Sequence, residues 1–416
     1  MTEIRSYKTL LEYNKSIREI IEQLVIVANE INIKRIAIVG GAIRDLLIAK
    51  ELNILHFEPN DIDIVIEGEI NFFIQKLKTK IDENQLKIIR FNYLYETAEL
   101  KINNFQVDIA SAREEIYPAP AENPKIALTT LKNDLRRRDI TINSLALDLH
   151  TYKLIDLYEG LNAIKDRKIE FIHDNSVEED PTRIIRCARY CTNLNFSISR
   201  QSQDQITNTL RKWPWAIASQ LNKSKAPPSI GSRLKMELEL LFKKDNWKHS
   251  INLLQSWGAL LLLDKTLQKD LYWEKRVTFL EEKGIDKLTS FLAGSQNPDE
   301  LAKRLDLPKK DQRLLTSCKI IKSELDNLFE SKSYKEWHPS DWCKKIEGNK
   351  WTENEMSIII SLKHPLWRYL FLWQKKWRKI KSSKSATQLI RMGWEPGKSL
   401  KLELERLRME RLDNIN

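Results

Sequence analysis

Cysteine is scarce in this chain of 416 residues: Cys187, Cys191, Cys318 and Cys343 are the only four, and none forms a CxxC pair. A chain this long does not need disulfide staples, and Cys187 and Cys191, on one helix face, read as small core residues rather than metal ligands. Histidine is nearly as rare, with six scattered residues, which argues against a zinc site. No apolar run, Ala259–Leu263 included, approaches the roughly 18 residues of a membrane span. Glu3, Arg5 and Lys8 stand where a signal peptide needs an apolar core. A cytoplasmic protein with no membrane partner is therefore expected. No fixed-period repeat is visible.

Charge and core-forming residues are abundant. Hydrophobic residues make up 42%, enough for real cores, and the length predicts two to four modules. Lys and Arg outnumber Asp and Glu by 69 to 58, a net charge of +11, with a pI of about 9.2. Nucleic acid is the first partner this suggests, while the high acidic count excludes a purely basic disordered arm.

Helical periodicity marks residues 1–33 (Leu10, Leu11, Ile17, Ile20, Ile21, Leu24), and Ile36–Val39 reads as a short strand running into Gly40-Gly41. A helix is predicted from near Ala42, another over Ile70–Ile81, and strands over Asp61–Ile66, Lys87–Phe91 and Phe105–Ile109. The first 150 residues thus read as a mixed α/β domain. Beyond Ser176 strand signals fade, and helices are expected at Arg183–Asn193, Arg233–Lys243, Trp247–Leu263 and Asp311–Phe329. Pro227-Pro228 and the polar stretch Ser331–Glu353 are candidate boundaries. Near the C-terminus, Lys375, Lys376, Arg378 and Lys379 are interleaved with Trp367, Trp373, Trp377 and Trp394. That pattern suits RNA through phosphate neutralisation and stacking, and equally suits tryptophans packed in a helical core under a solvated basic face.

The strand Asp61–Ile66 poses a chemical question, because aspartate is depleted in strands and costly to bury uncompensated. Alternation puts Asp61 and Asp63 on one face, about 7 Å apart, with Ile62, Ile64 and Ile66 behind. Such a pair suits hard divalent cations, and Asp108 in Gln106-Val107-Asp108-Ile109-Ala110 is a third carboxylate on a β-type run that would lie alongside. Two metals roughly 4 Å apart can clamp the attacking and leaving oxygens of a phosphoryl displacement. Just upstream, Gly40-Gly41-Ala42-Ile43-Arg44-Asp45 places glycines, a helix N-terminus and an arginine fork at a strand-to-helix turn, the makings of a triphosphate cradle. Taken singly, the two aspartates also suit a charged edge strand, and the two glycines a tight turn.

Five ordered motifs follow one another across residues 36–195. They are GGAIRD, DIDIV, Arg137-Arg138-Asp139-Ile140-Thr141-Ile142-Asn143-Ser144-Leu145, Asp156-Leu157-Tyr158-Glu159-Gly160, and Glu179-Asp180-Pro181-Thr182-Arg183 with Arg186 and Arg189. Together they resemble those of class II, bacterial-type tRNA nucleotidyltransferases, the CCA-adding enzymes and their poly(A) polymerase relatives. Departures are small: Ile140 replaces the usual Phe, Ser144 the usual Ala, Ser232 the glutamate before Arg233, and extra sequence at Ala49–Glu58 separates the glycines from DIDIV. Gln388–Gly397 is similar to the family's tail motif.

The resemblance implies an α+β multidomain chain. A DNA polymerase beta-like head would span 1–150, a helical neck 151–226, a helical body 227–335 and a basic helical tail 336–416. It implies nucleotide addition to the tRNA 3′ end from CTP and ATP, with Mg2+ on Asp61 and Asp63, and Asp108 orienting metal or accepting the hydroxyl proton. Gly40, Gly41, Arg44, Arg138, Asp139, Asn143, Asp180, Arg183, Arg186 and Arg189 would bind the nucleotide. A helix N-cap is the alternative role for Asp139, and a solvated stripe that for the three neck arginines. Asp180 and Arg183, three apart on a predicted helix, would present an acceptor beside a donor fork, matching the amino donor and ring-nitrogen acceptor that cytosine and adenine share. Residues 113–135, with Pro118, Pro120 and Pro124, read as a full-length flexible loop, which favours an enzyme able to add A. A specialised A-adding enzyme or poly(A) polymerase shares every motif, and a non-catalytic RNA-binding protein is the remaining alternative.

Overall fold

The computed structural model describes residues 15–52, 59–212 and 228–414. The expectations at Leu10, Leu11 and Pro227, and most of the extra sequence at Ala49–Glu58, lie outside the described residues. The chain divides into two compact units, one built from residues up to 212 with 228–230 and 243–259, the other from 231–242 and 260–414.

The first unit is organised by a seven-stranded sheet in the order β3-β4-β5-β2-β1-β8-β9. Its strands are β1 (Ile36–Val39), β2 (Asp61–Ile66), β3 (Leu86–Asn92), β4 (Thr97–Ile102), β5 (Phe105–Ser111), β8 (Ala146–Asp148) and β9 (Leu154–Ile155). Only β2 and β5 pair in parallel; the other neighbours are antiparallel. The β-branched runs fold as expected because both faces are covered. On one face Ile36, Ile38, Ile62, Ile64 and Ile66 are buried. Helix α1 (Lys15–Glu30) buries Ile17, Ile20, Ile21 and Leu24, and α3 (Ile70–Lys78) buries Ile70, Phe73, Ile74 and Leu77, each on one helical stripe. Nine residues are too few to hold a helix in isolation, so α3 owes its stability to that buried stripe. On the other face Ala37, Val39, Val65 and Ala146 pack with Leu131 and Leu135 of the short helix α4 (Leu131–Arg136).

Residues 113–135 depart from the expected open loop. Strands β6 (Arg113–Ile116) and β7 (Lys125–Leu128) pair antiparallel, and α4 follows. Between them the Ala121 amide donates to the Glu179 carbonyl at 3.0 Å. The prolines suggested a loop, but all three fall between the strands, where no ladder hydrogen bond is lost. Strand β4 was not anticipated either; Ala98, Leu100 and Ile102 alternate inward, yet Glu99 and Lys101 disguise the run as polar.

Helices α5 (Gly160–Lys165), α6 (Ser176–Glu179) and α7 (Thr182–Leu194) complete this unit's central part. A two-residue parallel ladder, Lys168–Ile169 with Ser197–Ile198, is added to the expected helices. Helix α7 buries Ile184, Ile185, Cys187, Ala188 and Cys191, so those cysteines are core residues. The predicted helix Trp247–Leu263 is interrupted after Ser256, where Gly258 takes a φ of +74° that ends an α-helix, and a 3-10 turn follows at Ala259–Leu262.

The second unit is helical among its described residues. Its longest helix is Lys309–Ser331, and the polar stretch expected as a boundary contains the helix Pro339–Gly348, with a capping box at His338 and Asp341. The C-terminal tryptophans divide. Trp373 and Trp377 are core residues, Trp373 donating from Nε1 to Glu347 Oε1 at 3.1 Å, whereas Trp367 is 37% exposed. Lys375, Lys376 and Lys379 are exposed. No described helix is long and apolar enough to cross a membrane.

Candidate active site

Strand register brings the carboxylates together. Parallel pairing of β2 with β5 sets Asp63 directly opposite Asp108, and Asp61 opposite Gln106. Antiparallel pairing of β1 with β2 sets Val39, the last residue before Gly40, opposite Asp63. The turn that leaves β1 at Gly40 therefore comes down beside the aspartates. Gly40 has a φ of +70°, and a Cβ there would lie 3.0 Å from Asp63 Oδ2 and 3.3 Å from Arg138 Nη1. Conformation and close approach both require glycine. Helix α2 (Gly41–Glu51) starts at this turn, and no side chain caps its N-terminus at Gly40.

Burial pushes the Asp63 carboxyl up to about 6; Arg138 and Arg44 oppose the shift, and Asp61 and Asp108 add to it. Burial also raises Asp108, with Glu99 and Asp61 adding and Gln106 opposing. The cluster thus holds more negative charge than its arginines compensate, which is the electrostatic demand a cation answers. Among the described residues no three His, Cys, Asp or Glu side chains converge to hold a metal unaided. Asp61 and Asp63 fit a hard cation whose remaining ligands are phosphate oxygens and water, the usual coordination of magnesium in nucleotide sites.

The predicted nucleotide-binding side chains form a connected chain rather than free forks. Arg44 makes a bidentate pair with Asp45 (2.7 and 2.9 Å) and donates from Nη1 to Asn143 Oδ1 at 2.8 Å. Asn143 Nδ2 donates to Asp139 Oδ1 at 3.0 Å, and Arg186 Nε to Asp139 Oδ2 at 2.8 Å. Burial by itself would raise the Asp139 carboxyl, but Arg186, Asn143 and Arg183 hold it well below the usual carboxylate range. Asp139 does not cap a helix: Ile140 occupies the N-cap of the 3-10 turn Thr141–Asn143, and Asp139 instead accepts from the Ile140 amide. Arg138 donates to the Asn143 carbonyl at 3.3 Å and to Asp134 at 3.2 Å.

The pair Asp180 and Arg183 differs from the expected helix-face pair. Asp180 precedes α7 with extended backbone angles, and its Oδ1 accepts from the amide and hydroxyl of Thr182. Arg183 lies in the first turn, only 4% exposed, donating to Ser176 Oγ at 2.6 Å and to the Arg137 carbonyl at 2.8 Å. The three arginines of α7 do not form a solvated stripe either. Arg186 and Arg189 flank the Tyr190 ring at 5.9 and 5.3 Å, and Arg44 approaches the same ring at 5.2 Å.

Sequence reasoning missed Asp134, Ser176 and Tyr190, and quoted Arg137 in a motif without giving it a role. Asp134 is fully buried and accepts from Arg137 and Arg138, which follow it at helical i+3 and i+4 spacing, the one signal that could have found it.

A family model described as the poly(A) polymerase head domain matches residues 36–170. An A-adding tRNA nucleotidyltransferase of Aquifex aeolicus is 29% identical over 406 residues, 92% of this chain and 45% of that protein. A CC-adding tRNA nucleotidyltransferase of Deinococcus radiodurans is 32% identical over 232 residues, 55% of each chain. Residues 36–170 are thus similar to the poly(A) polymerase head domain, and longer stretches are similar to tRNA nucleotidyltransferases. The chain spans about half the length of these curated relatives. A solved structure of a CCA-adding enzyme in an apo form shares its fold with a TM-score of 0.68 at 24% identity, covering 98% of this chain and 95% of that one. The Thermotoga maritima CCA-adding enzyme, solved with tRNA, gives a TM-score of 0.63 at 23% identity, covering 98% and 95%. Nucleotidyltransferases generally use divalent metal ions.

Proposed function

We propose that this chain is a tRNA nucleotidyltransferase that builds CCA, or its terminal A, on the tRNA 3′ end from CTP and ATP. The observation that carries the reading is the register that sets Asp63 against Asp108 beside the Gly40 turn. In this reaction the tRNA 3′-hydroxyl attacks the nucleotide α-phosphate and pyrophosphate leaves. Asp61 and Asp63 would hold magnesium, which would supply neutralisation of phosphate charge and activation of the attacking hydroxyl. Asp108 orients that end of the site or accepts the hydroxyl proton. The α2 amides at Gly40-Gly41 and the guanidinium of Arg44 receive the triphosphate, with Arg44 held in place by Asp45 and Asn143. Arg138, Asp139, Asn143, Arg186 and Arg189 fix ribose and phosphate.

Asp180 accepts from the exocyclic amino group of cytosine or adenine, and Arg183 donates to the adjacent ring nitrogen. Uracil and guanine present the reverse pattern and are rejected, so no nucleic-acid template is needed. We assign this chemistry to a head (1–150) and neck (151–226), and tRNA contact to the body (227–335) and tail (336–416). The exposed Lys375, Lys376 and Lys379 support that last assignment. Restriction to the terminal A is favoured by the Aquifex relative, which is A-adding and aligns with 92% of this chain.

The deciding experiment presents purified protein with tRNA transcripts ending before C74, after C74 and after C75, each with CTP or ATP alone. Stepwise C, C and A addition supports the full activity, and addition of A only to the CC-ending transcript the restricted one. Long A tails on unrelated RNA would indicate a poly(A) polymerase, and no addition anywhere an RNA-binding protein. Asp61→Ala should abolish addition while tRNA binding survives.

A further inference from the structure

Ser176 opens the short helix α6 and is fully buried. Two of its atoms hold the two residues assigned to base reading, Arg183 by its side chain and Asp180 by its backbone amide. Its Oγ accepts from Arg183 Nη1 at 2.6 Å, and its carbonyl accepts from the Asp180 amide at 3.3 Å. The other terminal nitrogen of Arg183 is held by the Arg137 carbonyl at 2.8 Å. One acceptor on each terminal nitrogen fixes the plane of a guanidinium, because any rotation of the fork breaks one bond or the other. Those bonds use two of its five N–H donors and aim the rest.

A hydroxyl is needed at this point. Arg183 is 4% exposed, and without Ser176 Oγ the nearest carboxylate to its Nη1 is Glu179 Oε2 at 4.0 Å, beyond hydrogen-bond distance, so the guanidinium would have to turn to satisfy the charged N–H. Deeper in the sequence the same residue sets where Asp180 leaves the helix, through its carbonyl. We propose that Ser176 is a positioning residue for nucleotide selection: it touches no nucleotide, but its hydroxyl and carbonyl align Arg183 and Asp180 so that their donor and acceptor meet one Watson–Crick edge. The inference rests on the reading of Asp180 and Arg183 given above.

The test measures single-turnover incorporation of C, A, U and G, one nucleoside triphosphate at a time, into a tRNA transcript that the wild-type chain extends. Ser176→Ala, Ser176→Cys and Ser176→Thr are compared in the full chain. Loss of one charge-assisted hydrogen bond predicts that preference for C or A over U or G falls about ten-fold in the alanine and cysteine variants. Threonine keeps the hydroxyl and should restore most of the preference. A merely structural serine predicts instead that all four nucleotides slow in parallel with selectivity intact, and that result overturns the proposal. Cysteine, nearly isosteric with serine, provides a folded variant if alanine lowers stability. Arg183→Ala separates the two levels: if it loses selectivity while Ser176→Ala and Ser176→Cys keep theirs, only the role of Ser176 is refuted. If Arg183→Ala also stays selective, the base-reading assignment is wrong and this inference falls with it.

Discussion

Replacing Asp63 by asparagine should stabilise the metal-free protein while destroying its chemistry. Burial lifts the Asp63 carboxyl from 3.8 to about 6. Each pKa unit corresponds to about 1.4 kcal/mol, so ionising this group in the folded state costs about 3 kcal/mol relative to the unfolded chain. The folded state holds the proton more tightly than the unfolded one. The cost is therefore absent below about pH 4, grows as pH rises through the folded pKa of about 6, and is complete above it. Asparagine carries no charge at any pH and avoids it. Arg138 and Arg44 lose a partner in the variant, but the upward shift means that burial and the neighbouring Asp61 and Asp108 outweigh them.

Thermal or urea unfolding in a chelator should show Asp63→Asn more stable than wild type at pH 7.5, by up to about 3 kcal/mol, with the difference vanishing at pH 4. Millimolar magnesium should narrow or reverse the order, because a cation that binds only the folded wild type stabilises it by mass action. A variant less stable than wild type at pH 7.5 in chelator, or a difference independent of pH, would refute the uncompensated-charge account of this site.

Three further substitutions probe other positions in the two units. Asp139→Asn leaves Arg186 without the charge it meets at 2.8 Å and should cost about 2–3 kcal/mol at pH 7, discounted for the partial exposure of Arg186. Because Asp139 is held below the usual range, its contribution is present above about pH 4 and fades as pH falls, so denaturant midpoints of the two proteins should converge in acid. Gly231→Ala brings a Cβ to 1.8 Å from the Arg304 carbonyl oxygen, a backbone atom that cannot step aside, and should lower stability by about 3 kcal/mol, read as a lower urea midpoint. Arg183→Lys retains charge but loses the fork, so it should slow addition and relax rejection of UTP; unchanged discrimination between CTP and UTP in single-turnover assays would remove Arg183 from base reading.

Local pattern carried a good part of the site. Ile36–Val39, Asp61–Ile66 and the turn between β1 and α2 are legible because β-branched runs, paired glycines and alternation act over a few residues. The strand β4 and the hairpin β6–β7 were not legible, because Glu99 and Lys101 make β4 read as polar and the prolines between β6 and β7 make that segment read as a loop, although each strand pairs with a sequence neighbour. A periodic apolar pattern likewise cannot distinguish one long helix from the α-helix and 3-10 turn that Gly258 separates.

Sequence by itself determined which residue types are available for the chemistry: the aspartates, the glycine turn and the arginines, each at a spacing that covalent geometry converts into a shared face. Only the tertiary structure decided which of them meet. That Asp63 lies opposite Asp108 depends on the parallel register of strands more than forty residues apart, and that Arg183 is buried on Ser176 and Arg137 depends on how α6 and α4 approach α7. Long-range register is set by packing summed over the whole core, a quantity no local stretch of sequence contains.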